Sequence, residues 1–376
     1  MTAVDQLPEQ RIVRVTFADG THGDYPFIWL RDNCPTAWHP ETHEKVQDLL
    51  RIPADIAPRD IKLRESEVEI AWDRDNHISR FALDWLADNR PGRVLADPAV
   101  VTSAVWRGDT TKADLPRADA SALLSDDGAL YDWLAAAKAW GLALVDGLSS
   151  DPESGMAVAR RIGFLRETNF GKTFEVKSKA NPNNLAYTAV ALPLHTDLAN
   201  QELPPGFQFL HCLANEAVGG GSVFADGFAI AADLRATDPA AFDLLSRRSV
   251  PFRFHDVDHD IRQRQTVIRL DEYGNPAEIC WNAHLAGIFD MPAETLADYY
   301  AAYRALMAAT RDPAYSVEFT LKAGEMVVFD NRRVLHGRAA FDPTTGFRYL
   351  HGCYVDRGEF DSRMRVLARA RRTNGH

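Results

Sequence analysis

The sequence predicts a mainly β fold with α: a double-stranded β-helix, or jelly roll, preceded by a small β-rich N-terminal domain. Three observations predict it. The chain has 376 residues, more than the roughly 250–300 that one core usually supports. Short alternating apolar segments, separated by Gly, Pro, Asp and Asn turns, recur from end to end. Helical periodicity is confined to a few blocks, enough to cover sheets but not to build a bundle.

The elements follow in order. RIVRVTF (11–17) alternates, ADGTHGD (18–24) carries turn residues, and YPFIWLRD (25–32) is apolar again. IKLRESEVEIAW (61–72) alternates once more, and RFALDWLADN (80–89) has the period of a short amphipathic helix. Pro91, Gly92, Asp97 and Pro98 then break the pattern. The reading assigns 1–96 to the small N-terminal domain, the polar stretch 97–128 to a linker, and 129–376 to the jelly roll. The last segment opens with a helix over 129–140, stopped by Gly141, then a strand and a second helix near 152–162. TFEVK, LAYTAVALPLH, GFQFLHCLA and GSVFADGF read as strands, followed by a helical pair over 228–247. FRFHDV is a further strand, and QTVIRL-DEYGN-PAEICW carries a Gly-Asn turn that predicts a hairpin. PAETLADYYAAYRALMAAT (292–310) is helical, and SVEFTL, EMVVFD and FRYLHGCYV return to β.

Composition excludes several classes. The net charge of −11 argues against a nucleic-acid binder. No apolar run approaches the roughly 20 residues of a membrane helix, and MTAVDQLPEQ lacks the features of a signal peptide. Four cysteines in such a length make no disulfide scaffold, so the expected compartment is the cytoplasm.

The chemistry-bearing residues are His195-Thr196-Asp197 at the end of an alternating strand and His336 after another strand. Strand side chains repeat every two residues, so a His-x-Asp pair shares a face. A distant His completes a facial triad and leaves three positions of an octahedral metal open, as in non-haem Fe(II) oxygenases. His22-Gly23-Asp24 has the same spacing but sits in a Gly-containing turn segment. Arg348 lies one strand beyond His336, placed to hold a dicarboxylate with its bidentate fork. Ser222 offers a hydroxyl to the same carboxylate.

The runs AYTAVALPLHTD, PPGFQFLHC, GGGSVFADGF, FDNRRVLHGR, FRYLHGCYVDRGEFDSRMRVL and WLRDNC resemble the γ-butyrobetaine and trimethyllysine dioxygenase branch of the 2-oxoglutarate oxygenases. The resemblance spans residues 10 to 370, in the same order. It implies Fe(II) on His195, Asp197 and His336, with 2-oxoglutarate as co-substrate on Arg348. It also implies O2 as oxidant, ascorbate as reductant in assays, a jelly-roll core, a small N-terminal domain and a homodimer. The expected reaction is hydroxylation of a C–H bond of a small trimethylammonium zwitterion, γ-butyrobetaine to L-carnitine first. A related betaine, such as a trimethylamino-alkylphosphonate or trimethyllysine, is the alternative within the class. A non-catalytic jelly-roll binding protein is the alternative outside it.

A quaternary ammonium donates no hydrogen bond and is held by aromatic faces. By the resemblance the cage falls on Phe170, Phe174, Tyr187 and Tyr354, where the family pattern has Tyr and Trp at the first two. Asn184 matches an Asn that contacts the substrate carboxylate. The second such Asn aligns with Trp281, with Asn282 one residue on. Either Asn282 takes the role through a bulge or the anion is held differently, with His284 a candidate donor. The N-terminal segment carries zinc on three cysteines and a histidine in the family. Here Cys34 and His77 remain, Thr36 is no ligand, and His39 or His43 would have to complete a mixed site.

Overall fold

The computed structural model describes residues 2–177 and 189–374. The chain divides into two compact units, Met1–Asp97 and Pro98–His376.

The first unit carries two three-stranded antiparallel sheets. One joins Ala3–Leu7, Ile12–Thr16 and His22–Pro26; the other joins Pro58–Leu63, Glu67–Trp72 and Ile78–Ala82. The segment read as one strand over 61–72 is thus two, turned through Arg64–Ser66, where polar residues interrupt the alternation. Likewise 80–89 is split between the end of a strand and a short helix, Leu83–Asp88. Val13, Val15, Tyr25, Phe27, Ile70, Trp72 and Phe81 fill one core. Its buried polar tips are satisfied: Trp72 Nε1 donates to Ser79 Oγ at 2.9 Å, and the Tyr25 hydroxyl donates to the Leu86 carbonyl.

This unit also holds the residues considered for zinc. Cys34 Sγ and His77 Nε2 do approach, at 3.3 Å, but Thr36 Oγ1 stands 3.1 and 3.2 Å from them. His39 is elsewhere, its Nδ1 accepting from the backbone N–H of Glu41 and Thr42. Among the described residues no three metal-ligating side chains converge here. The core of aromatic and aliphatic side chains already supplies the packing that a structural metal provides in domains without one.

The second unit is the jelly roll. Its larger sheet has the order Arg117–Asp119, Leu142–Asp146, Met326–Asp330, Phe207–Asn215, Arg348–Val355, Thr173–Val176. The smaller sheet has the order Leu192–His195, Val334–Arg338, Ser222–Asp226, Ser316–Phe319. Leu144, Leu210, Cys212, Phe224, Phe319, Val327, Phe329 and Leu350, drawn from both sheets, form one core. The opposite face of the larger sheet is covered by Asp127–Trp140, Pro152–Ile162 and Arg357–Asn374. The first of these helices ends at Gly141, as the sequence predicts, with Gly141 at φ 70°; at its start, two residues earlier than expected, Asp126 accepts from the N–H groups of Gly128 and Ala129.

The expected linker over 97–128 is corrected. Arg117–Asp119 pairs in parallel with Leu142–Asp146, Ala120–Ser125 is helical, and Trp106 and Leu115 are buried. The polar composition hid this because an edge strand of three residues shows no alternation. The hairpin predicted around Gly274-Asn275 is present, as Ile268–Leu270 against Pro276–Ile279.

One buried pair ties the two sheets together. The Arg333 fork donates to both carboxylate oxygens of Asp226, at 3.0 and 2.8 Å, and to the carbonyls of Ala139 and Ala104. Asp226 also caps the Gly227–Thr237 helix by accepting from Phe228 N–H. Replacing Arg333 by Met strands a buried carboxylate, and we expect about 3–5 kcal/mol of lost stability, read by equilibrium denaturation. A loss below about 1 kcal/mol would remove the pair from this role.

Candidate metal centre and its cavity

His195 ends the Leu192–His195 strand and faces His336 across an antiparallel pair with Val334–Arg338. The ring centroids are 4.3 Å apart. Asp197 is not on that strand, as the two-residue repeat suggests, but opens the turn 197–200. It is held there by its backbone: Asn331 Oδ1 accepts from Asp197 N–H at 2.6 Å, and Asn331 Nδ2 donates to Asp197 O at 3.1 Å. Thr196, between the two, is locked to Trp281. Its N–H donates to the Trp281 carbonyl at 2.6 Å, and its hydroxyl accepts from Trp281 N–H at 3.0 Å.

The result is a cluster of three donor side chains whose ligand atoms all lie within 4.8 Å of one another. Asp197 Oδ1 is 3.2 Å from His195 Nε2, and Oδ2 is 3.6 Å from His336 Nε2. Burial alone would raise the Asp197 pKa, but the facing His336 and His195 outweigh it and hold the carboxyl well below its usual range. Burial and the neighbouring His195 push His336 down despite Asp197. A carboxylate beside a neutral imidazole is the protonation a divalent metal requires. The second His-x-Asp forms no such cluster: Asp24 is bound by the Arg14 guanidinium at 2.7 Å.

The triad lines a cavity of about 290 Å3. Phe170, Phe174 and Tyr354 line it, as do Ser222, Asn282, His284, Arg338 and Arg348. Asn184 and Tyr187 lie outside the described residues. Arg348 is buried, and its Nε has no hydrogen-bond partner among the described residues. No carboxylate among those residues acts on its charge, and burial lowers its pKa. Arg338 lines the same wall; burial and then Arg348 push its pKa down to about 10. Two buried guanidinium groups beside a cavity make a strong anion seat.

A family described as "Taurine catabolism dioxygenase TauD, TfdA family" matches residues 108–354, and "Gamma-butyrobetaine hydroxylase-like, N-terminal" matches 5–87. Gamma-butyrobetaine dioxygenase of Pseudomonas sp. (strain AK-1) is 43% identical over 95% of this chain and 94% of its own length. The chain belongs to the TauD, TfdA dioxygenase family. The human gamma-butyrobetaine dioxygenase is 31% identical over 99% of the chain and 98% of its own. Rat mitochondrial trimethyllysine dioxygenase is 32% identical over 91% and 82%. The protein is therefore an enzyme of the Fe(II)- and 2-oxoglutarate-dependent dioxygenase class, and the donor set and the anion seat both fit that pair of cofactors.

In this dioxygenase the Trp281/Asn282 ambiguity resolves by face. Trp281 is 2% exposed and packs 4.4 Å from the Tyr303 ring, away from the cavity, while Asn282 lines it. The Asn282 amide is already engaged, donating to Thr196 O and accepting from the N–H groups of His284 and Leu285. Three features of the site are not signalled by the sequence motifs. Phe254 comes from the Ser249–His255 strand and meets Phe170 edge-on at 5.5 Å; the Val250-Phe252-Phe254 alternation was its only signal. Tyr354 donates its hydroxyl to Asp197 Oδ2 at 2.7 Å, besides presenting its ring. Asn331, inside FDNRRVLHGR, acts through backbone contacts that no residue pattern announces.

Replacing Asn331 by Ala frees Asp197 to swing. By analogy with other partners of metal ligands, we expect a roughly 10–100-fold loss of Fe(II) affinity in an anaerobic titration, with His336→Ala as the control that abolishes binding. Wild-type affinity in Asn331→Ala would show that the turn holds itself.

Proposed function

We propose that the enzyme hydroxylates a C–H bond of a small trimethylammonium zwitterion, with γ-butyrobetaine to L-carnitine as its first candidate reaction. The observation that carries this reading is a single cavity lined by the triad, by a buried guanidinium without an acid partner among the described residues, and by aromatic rings. His195, Asp197 and His336 would hold Fe(II), which supplies the O2-dependent oxidation coupled to decarboxylation of 2-oxoglutarate. Arg348 would take the distal carboxylate of 2-oxoglutarate with its fork, and Ser222, on the neighbouring wall, would add a hydroxyl hydrogen bond. Leu192, Leu210, Phe224 and Leu350 line the same space and keep water from the reacting groups.

Phe170, Phe174, Phe254 and Tyr354 would surround the substrate ammonium. Gly352 makes part of this arrangement possible, since a Cβ there would stand 2.6 Å from the Phe174 ring. The anionic end falls to the Asn282–His284 rim of the cavity. Burial, then His195, lowers the His284 pKa, so the imidazole offers one N–H at neutral pH. We also assign the enzyme to the cytoplasm and to a homodimer. The four cysteines are free and buried, as expected of a reducing compartment; light scattering on the purified protein tests the dimer.

The co-substrate role is tested by Arg348→Lys. Loss of the fork should cost about 2–4 kcal/mol in 2-oxoglutarate binding and raise its KM far more than that of the betaine. Unchanged 2-oxoglutarate dependence would move the role to Arg338. The substrate class is tested by succinate release over a panel of betaines and by Phe254→Leu. That change should weaken γ-butyrobetaine by about 1–2 kcal/mol, roughly five- to thirtyfold. The all-carbon isostere should bind the wild type poorly and be indifferent to the mutation. If the isostere binds as well as the betaine, cation recognition is not the basis of selectivity.

A further inference from the structure

Tyr354 stands at a junction that neither the cage nor the triad explains alone. It belongs to the Arg348–Val355 strand and is 4% exposed. Its ring lies 5.0 Å from Phe174 and lines the cavity. Its hydroxyl donates to Asp197 Oδ2 at 2.7 Å. The other carboxylate oxygen, Oδ1, faces His195 Nε2 at 3.2 Å. One side chain therefore touches the substrate space with its face and the metal-ligating carboxylate with its tip.

We propose that Tyr354 is a positioning residue that keeps Asp197 a one-oxygen ligand and links occupancy of the ring-lined seat to the geometry of the iron. The proposal rests on the reading that the triad holds Fe(II). The argument is a count of coordination sites. An octahedral ion has six; three go to the triad, and a chelating 2-oxo acid takes two, which leaves one for O2. A carboxylate has two oxygens and can bind through both. An Asp197 that did so would take the position that O2 needs. A donor held on Oδ2 by a buried strand residue opposes that swing, because chelation would have to break a hydrogen bond to an ionised acceptor, stronger than a neutral one. The same bond draws charge from the carboxylate and so lowers its donation to the metal. A cation seated against the Tyr354 ring restrains the ring, and through the hydroxyl it restrains the carboxylate.

Tyr354→Phe separates the two functions, since it keeps the ring and removes the donor. Three readouts apply besides turnover: Fe(II) affinity, the charge-transfer band formed anaerobically with Fe(II) and 2-oxoglutarate, and the ratio of succinate to hydroxylated product. We expect the variant to bind Fe(II) several-fold more tightly, because the freed carboxylate donates more strongly and through both oxygens, to shift the band to longer wavelength, and to release succinate in excess of product. The KM for the betaine should stay within about twofold. Phe254→Leu, whose ring packs on Phe170, should raise that KM and leave affinity and band in place. Site-specific 3-fluorotyrosine at 354, a more acidic donor of nearly the same size, should shift the band the opposite way. It also decides the matter if Tyr354→Phe does not fold. Wild-type affinity and band in Tyr354→Phe, or an unmoved band with 3-fluorotyrosine, overturn the proposal while the iron reading stands. No band in the wild type overturns the iron reading, and the proposal with it.

Discussion

The clasp between Asn331 and the backbone of Asp197 is the contact on which the site depends. Two histidines on paired strands are placed by sheet register, but a carboxylate in a turn has no such guarantee. Asn331 supplies it by bonding both backbone groups of Asp197, and it donates to the Pro205 carbonyl as well. Its neighbours in the same turn have parallel duties. Asp330 accepts from the Arg357 guanidinium, Arg332 bonds Glu278, and Arg333 bonds Asp226. One tight connection between Met326–Asp330 and Val334–Arg338 thus links the larger sheet, the smaller sheet and the metal turn. Register then does the rest, since the strand that follows it carries His336 opposite His195.

The cavity wall carries charge of both signs. A carboxylate and two imidazoles that could hold a dication line it, and so do the buried Arg348 and Arg338. Arg333 and Arg348 make an informative contrast. Arg333 is as deeply buried, yet Asp226 and two carbonyls satisfy its fork. Arg348 has no acid partner among the described residues, and its Cζ lies 5.7 Å from the Phe341 ring. A buried charge left without a partner is costly, a cost that a bound anion would relieve. The contrast separates an arginine whose fork the fold satisfies from one whose fork it leaves open.

Much of this was legible in the sequence. The His-x-Asp, the distant His and the Arg after it are separated by strand-like segments, and each reached the cavity. What was hidden shares a physical cause: it acts through atoms that residue patterns do not encode. The strand Arg117–Asp119 is too short to alternate and is recognised only by its parallel partner. Trp281 and Asn282 differ by one position, and only their opposite faces decide which reaches the ligand space. Cys34 and His77 meet, as their survival suggested, but the hydroxyl that stands with them is that of Thr36, which the ligand pattern did not include. The Asp24 spacing matched the motif perfectly in sequence and was disqualified by an arginine on the adjacent strand.

The division of labour between rigid and less regular elements bears on selectivity. The iron ligands and Arg348 stand on, or within two residues of, strands of the two sheets, so their geometry is fixed by many shared hydrogen bonds. The rings that would meet the substrate come from diverse places: Phe170 from a turn, Phe174 from an edge strand, Phe254 from a separate hairpin. A change in that hairpin can reshape the ring-lined wall without disturbing the sheets. Tyr354 is the exception, because its ring faces the cavity and its hydroxyl bonds the Asp197 carboxylate. A substitution there therefore acts on both at once: one that reshapes the wall also removes the donor from Asp197 unless it keeps a hydroxyl.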